Sequence, residues 1–272
     1  MLEAVLLFRD ALYGSLVIAL ACSVLGVYVV LRRIVFVGAT LAQISSAGIA
    51  LAYWLAGQGV ALGLASHPEA FSLVVTLGAV AFFAGMGRGR VPPDARIGVA
   101  YALAAAAGIL LIAKATTGEA HDIFLQGNIL GITRLDTVEL LAATLPVLAA
   151  HAVFYKEFLF VSFDRETART LGYAVQRWDL ALYLTLGFVI AVAMQFAGVL
   201  LVFNFLVLPA VTGLLVSRSM RMTFVVSIVA ALLAALLGFT LSIPFDLPTG
   251  PTMIAVSGAL VVIAWAVHRV RR

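Results

Sequence analysis

Charge is what this chain has least of. Only 11% of its 272 residues are charged, against 64% hydrophobic, and the mean hydropathy is +1.14. A single cysteine, Cys22, excludes a disulfide framework and any cysteine-based metal site. The only lysines are Lys114 and Lys156, and the residues before them are Ala113 and Tyr155. No Gly-Lys-Ser or Gly-Lys-Thr phosphate loop is therefore present, so the chain is not expected to hydrolyse ATP itself. No Ser-His-Asp arrangement and no pair of carboxylates falls within one apolar stretch. Ionisable groups are almost missing from mid-membrane depth, where ion-coupled carriers place their proton or ion relays. His151 lies near the inner end of the run over 137–155, while Asp136 lies just ahead of its outer end and Glu139 just inside it. That pattern disfavours a proton-driven antiporter and points to energy supplied by a partner.

What is present is a series of apolar runs long enough to cross a bilayer, for which about 20 helical residues suffice. Spans are expected near residues 11–31, 37–56, 70–86, 97–114, 137–155, 180–197, 199–217, 222–241 and 252–268. Backbone groups in lipid must be satisfied within the segment, so the spans are expected to be helical. The sixth and seventh runs meet around Gln195–Gly198, where a broken or re-entrant segment would give eight spans plus a hairpin instead of nine. The expectation is one all-α, polytopic domain over residues 1–272, with eight to nine transmembrane helices. The opening residues carry Glu3 and Asp10 in place of a basic leader, and Ala19 stands where a lipobox before Cys22 would have leucine. The first run therefore reads as a retained span.

The loops set the orientation. Arg32, Arg33, Arg88, Arg90, Arg96, Lys156, Arg165, Arg169, Arg177, Arg218, Arg221, Arg269, Arg271 and Arg272 fall on one side; Arg9, Lys114 and Arg134 fall on the other. Short loops rich in Lys and Arg stay in the cytoplasm, which puts the N-terminus outside and the C-terminus inside. Eight acidic residues accompany the three outer basic ones, and five accompany the fourteen inner ones. A negative outer mouth concentrates cations, and it is equally the remainder left when basic residues are drawn inward. The basic overall balance is thus a membrane signature that needs no nucleic-acid partner.

The longest organised inner segment runs from Lys156 to Gly172. Asp164 is placed to cap a short helix over Arg165–Thr170, and Gly172 is a natural stop. Charges are expected on one side of this helix, with Ala168 and Leu171 on the other. So short a helix gains stability only by docking against something, either a partner or the inner leaflet.

Several stretches here resemble the permease subunits of zinc and manganese ABC importers. They are Arg32-Arg33 with Phe36-Val37-Gly38; Val161-Ser162-Phe163-Asp164 with Ala168 and Leu171-Gly172; Leu200 to Ala210; Phe245 to Pro251; and Phe124 to Thr133. They occur in the family's order along nearly the whole chain. The resemblance implies a homodimer of permeases with two cytoplasmic ATP-binding subunits and an extracytoplasmic solute-binding protein, in a prokaryotic inner membrane. It implies that the chain binds no cofactor of its own, ATP being used by the partner. It further implies that the region of about 158–175 holds the ATPase-coupling helix, with Asp164, Arg165, Glu166, Ala168, Leu171 and Gly172 its key residues.

The chain departs from the family where the second span usually opens with Gly-Asp-x-x-x-His, an oxygen and a nitrogen ligand one turn apart. The corresponding positions are Ala39 and Gln43. Zinc or manganese held mainly by the binding protein remains the expected cargo, beside another metal, a metal chelate such as a siderophore, or an unrelated small solute. Gln43, Ser46, Gln195 and Asn204 are candidates to line the path, while Gln43, Ser45 and Ser46 also suit hydrogen bonding between packed helices. His121 and Asp122, adjacent in the outer loop, are candidate metal ligands at the entrance, although a lone loop histidine is more often solvated. Pro209 is expected to break or kink the seventh span. A related cobalamin or siderophore permease and a non-transporting scaffold are the alternatives.

Overall fold

The computed structural model describes residues 8–58, 67–85, 91–114 and 129–270, and they are helical nearly throughout. The helices are α1 (Arg9–Leu31), α2 (Val35–Gly57), α3 (Pro68–Gly85), α4 (Pro93–Lys114), α5 (Arg134–Val153), α6 (Tyr155–Phe163), α7 (Arg165–Thr170), α8 (Val175–Val216), α9 (Met220–Ser242) and α10 (Thr249–Val270). A 3₁₀ turn over Ile129–Gly131 precedes α5. Seven of these helices are long and apolar enough to cross a membrane. At about 1.5 Å per residue, the 42 residues of α8 reach roughly twice the ~30 Å hydrocarbon thickness. Helix α8 is therefore two spans, and with the shorter α3 the described helices provide nine.

The division of α8 falls at Gly198, whose backbone leaves the helix with φ 72° and ψ 168°. That region of conformational space is open essentially to glycine alone. The discontinuity sits at the end of Gln195–Gly198, where the sequence places it. Pro209 behaves differently from expectation. It lies inside the second half of α8 with no non-helical residue beside it, so the bend in this element belongs to Gly198.

Contacts between helix ends show that the spans alternate. The Thr137 hydroxyl near the start of α5 donates to the Asp10 carbonyl at the start of α1, at 3.2 Å. Arg32, following α1, reaches Asp179 near the start of α8. His268 near the end of α10 meets the Leu215 carbonyl near the end of α8, at 2.9 Å. Among the described residues these helix ends thereby fall at two ends of the bundle, one of which gathers Arg32 and Arg165.

The core is built on α1 and α8. Ile18, Cys22, Leu25, Leu201, Val202, Phe205 and Leu206 are fully or almost fully buried in one cluster. Lipid offers apolar surface as readily as another helix does, so small residues and hydroxyl bonds must hold such helices together. Ser45 and Ser72 join α2 to α3 at 2.8 Å, and Thr40 bridges to the Ile97 carbonyl of α4 at 3.3 Å. Ser227 of α9 donates to the Ser23 carbonyl of α1 at 3.2 Å. The polar residues Thr40 and Ser45 are thus accounted for as bonds between helices. The closest approach is at Gly26 of α1, where a Cβ would collide with the Leu206 carbonyl of α8.

Gly26→Ala is accordingly expected to lower the melting temperature of the detergent-solubilised protein. Gly57→Ala, at a position with nothing within 4 Å of a built Cβ, should leave it unchanged. Equal melting curves for the two variants would contradict the α1–α8 packing described here.

Candidate functional site

The arginine-rich end of the bundle carries the short helix that the sequence singles out. Asp164 is extended, with φ −142° and ψ 92°, and its side chain caps α7. Its Oδ1 accepts from the Thr167 amide at 3.0 Å, and its Oδ2 accepts from the Thr167 hydroxyl at 2.6 Å. The hydroxyl bond, together with the amide bond, holds the Asp164 carboxyl below its ordinary range. At the other end Gly172 takes φ 84°. The Tyr173 amide then reaches the Ala168 carbonyl at 3.0 Å and the Gly172 amide reaches the Arg169 carbonyl at 3.1 Å. This pair of bonds is the Schellman closure that a left-handed glycine permits.

The two apolar residues of α7 part company. Ala168 is fully buried with Val161 and Val175, against Phe160 and Trp178. Leu171 is 66% exposed and does not share the face of Ala168, contrary to expectation. With only six residues the helix ends at Thr170, and Leu171 already belongs to its C-terminal cap. Phe163 and Tyr173, 74% and 40% exposed, are further open apolar side chains of this segment. Glu166 and Arg169 are exposed as well.

Arg165 is engaged within the chain. Its Nη2 donates to Asp179 Oδ2, while Arg32 Nη1 donates to Asp179 Oδ1 at 2.5 Å. Arg32 also donates through Nε to the Ser162 hydroxyl of α6 at 2.8 Å, and that hydroxyl donates to the Phe158 carbonyl. One carboxylate therefore ties α7 and the end of α1 to the second turn of α8. The Arg32 and Asp179 side chains are only 5% and 12% exposed, against 58% for Arg165. Burial lowers the Arg32 pKa from its ordinary value and the Asp179 carboxylate opposes that shift; an arginine stays charged under such a balance. Removing one partner of a buried pair costs about 3–5 kcal/mol, because a charge is left behind without compensation. Sequence reading counts Asp179 only among the inner acids and misses this junction. The available signal is an acidic residue at the head of an otherwise apolar helix, which needs a partner.

Above this junction lies an aromatic layer. The His151 ring stacks on Phe158 with centroids 4.2 Å apart, and Tyr28 packs edge-on against Phe224 at 5.1 Å. His151 Nε2 meets the Thr185 hydroxyl at 3.0 Å. Thr185 is also within hydrogen-bond reach of the Ala181 and Leu182 carbonyls.

The candidate path residues do not converge. Gln43 is half-buried on α2, and Ser46, one turn on, is fully buried with a hydroxyl that has no hydrogen-bond partner. Gln195 is half-buried just ahead of the Gly198 break. Asn204 is 2% exposed; its Nδ2 donates to the Ser257 hydroxyl of α10 at 3.1 Å and its Oδ1 has no partner. Among the described residues none of these four is hydrogen-bonded to another. Ala39 lies one turn before Gln43 and is buried. His121 and Asp122 lie outside the described residues. Among those described, no group of three or more His, Cys, Asp or Glu is placed to hold a metal ion.

The architecture is that of a polytopic membrane protein, a helical bundle of nine spans with a capped surface helix held against α6 and the start of α8. A model of the ABC 3 transport family matches residues 5–268, and the chain belongs to that family. It is 29% identical to the manganese transport system membrane protein MntB of Synechocystis, over 93% of this chain and 80% of that one. It is 28% identical to a probable iron transport system membrane protein of Haemophilus influenzae, over 97% and 94% of the two chains. The structure of PsaBC from Streptococcus pneumoniae in complex with Fab shares the fold, with TM-score 0.81 and 24% identity over 94% of this chain and 90% of that one. The chain is thus a multi-pass permease subunit of a prokaryotic inner-membrane transporter and not an enzyme, ATP hydrolysis lying with a separate subunit.

The cap geometry is open to a direct test. Asp164→Ala is expected to speed hydrogen exchange at the Thr167 amide and through α7, with Asp164→Ser restoring most of the protection. Unchanged exchange in the alanine variant would contradict the capping role.

Proposed function

We propose that this chain imports a divalent transition-metal cation, with manganese the first choice. In this reading two copies form the membrane channel. Two ATP-binding subunits dock on the arginine-rich end, which faces the cytoplasm, and an external solute-binding protein delivers the cargo to the opposite end. ATP is bound by the partner subunits, and this chain needs no cofactor. The observation that carries the reading is the family match along residues 5–268, joined to a surface helix capped at both ends. Glu166, Arg169 and Leu171 stand free on that helix for a partner, whereas Ala168 and Arg165 hold it to its own spans. An exposed leucine rimmed by charges suits an apolar pocket with a polar edge on the docking subunit.

Ala39 and Gln43 favour a second reading for the cargo. A bare divalent ion entering a path without fixed charge gains little to replace its hydration shell, whereas a chelated metal brings its own ligands. The probable iron transport protein of Haemophilus influenzae and the chelated iron transport system membrane protein YfeD of Yersinia pestis, 25% identical over 97% of this chain, are relatives compatible with this cargo. His121 and Asp122 would then serve as a weak entrance site.

The test is uptake in proteoliposomes holding the permease, its ATPase and its binding protein. Manganese is expected to enter only with ATP, and Leu171→Asp should weaken ATPase capture about tenfold, equivalent to the ~1.4 kcal/mol of one small apolar contact. If no divalent ion enters or competes but a chelate does, the second reading holds. Uptake that persists without ATP would overturn both.

A further inference from the structure

We infer that Asp179 is a positioning residue of the coupling machinery: it makes α7 and the adjoining ends of α1 and α8 move as one body. The inference rests on the reading of α7 as the site of ATPase docking. Four observations carry it. Asp179 is the only acidic residue of α8 and the last charged residue before thirty-eight uninterrupted positions of uncharged helix and cap. Both of its oxygens are used, each by an arginine from a different element. The two pairs are unequal: Arg32 is almost sealed from solvent, while Arg165 is more than half open. Arg32 is in turn bonded to Ser162 of α6, the helix that leads into α7.

The inequality gives the junction a direction. The Arg32–Asp179 pair is buried and bonded at short range, so it persists while the bundle stays folded. The Arg165–Asp179 pair faces solvent on one side, at the surface where a docking subunit would arrive. Force applied to α7 passes through Arg165 to Asp179 and from there into α1 and α8 together. Apolar contact alone would let a six-residue helix slide against the spans, because dispersion has no preferred register. Two guanidinium groups, each bonded to a different oxygen of one carboxylate, fix that register. Ala168 supplies the fulcrum, being fully buried between Val161 and Val175.

The experiment measures ATP hydrolysed per manganese ion imported by the complete reconstituted transporter. Asp179→Asn keeps an acceptor oxygen for Arg32 but loses the charge that holds Arg165. It is expected to raise the ratio at least about fivefold, the lower end of ordinary allosteric coupling, while Asp179→Glu returns it to within about twofold of the starting value. Arg165→Gln spares the buried pair and is expected to raise the ratio in the same direction, so the inference remains testable if Asp179→Asn does not assemble. A purely structural role would lower the amount of folded complex without altering the ratio. An unchanged ratio in Asp179→Asn, or in Arg165→Gln where the former does not assemble, overturns the inference. Absence of ATP-dependent uptake by the unaltered protein would instead overturn the underlying functional reading.

Discussion

A single carboxylate, Asp179, is the constraint on which the arginine-rich end of this protein depends. In a chain that is 11% charged, a buried arginine at the end of α1 and an exposed one on α7 share that one acceptor. Ion pairs of this kind seldom add net stability, since the cost of desolvating both charges offsets most of their attraction. What they add is geometry. The second turn of α8 cannot change register against α1 without breaking the Arg32 bond, and α7 cannot slide over the spans without breaking the Arg165 bond. A surface helix of six residues, too short to persist alone, is thereby made a fixed part of the bundle.

The remainder of the bundle is held by close approach and not by hydrophobic sorting. Gly26 lets α1 lie against the backbone of α8 at Leu206, and hydroxyls such as Ser45, Ser72, Thr40 and Ser227 cross from helix to helix. These bonds are individually modest, but they have no competition from water at that depth. The break at Gly198 separates the half of α8 that carries Asp179 from the half that packs on Gly26. One broken element therefore serves the arginine-rich junction at one end and the core of the bundle at the other.

Much of this was legible in the sequence where the governing physics is local. Apolar run length located the spans, because bilayer thickness sets it. Asp164 and Gly172 were readable as the ends of α7, because capping depends on a few neighbouring residues. The Gln195–Gly198 break was readable from two apolar runs that meet, whereas Pro209 misled: within α8 it is accommodated without a non-helical residue. Leu171 was misplaced because a six-residue helix has too few turns to define a face. The Arg32–Asp179 pair was not legible at all, its partners being 147 positions apart. Gly26 against Leu206 is the same kind of case. Gln43, Ser46, Gln195 and Asn204 were legible as polar residues in apolar spans, but their failure to converge within one copy depends on helix rotation, which hydropathy does not encode.

The central claim is that α7 and the end of α1 form one rigid unit through Asp179. It is tested most directly by the distance between spin labels at Arg33 and Thr170, in a Cys22→Ala background, measured in the reconstituted transporter with and without trapped ATP. The account predicts the same distance distribution in both states, with the distribution broadening when Asp179 is replaced by Asn. A distance that shifts between the two nucleotide states in the otherwise unaltered protein would contradict it.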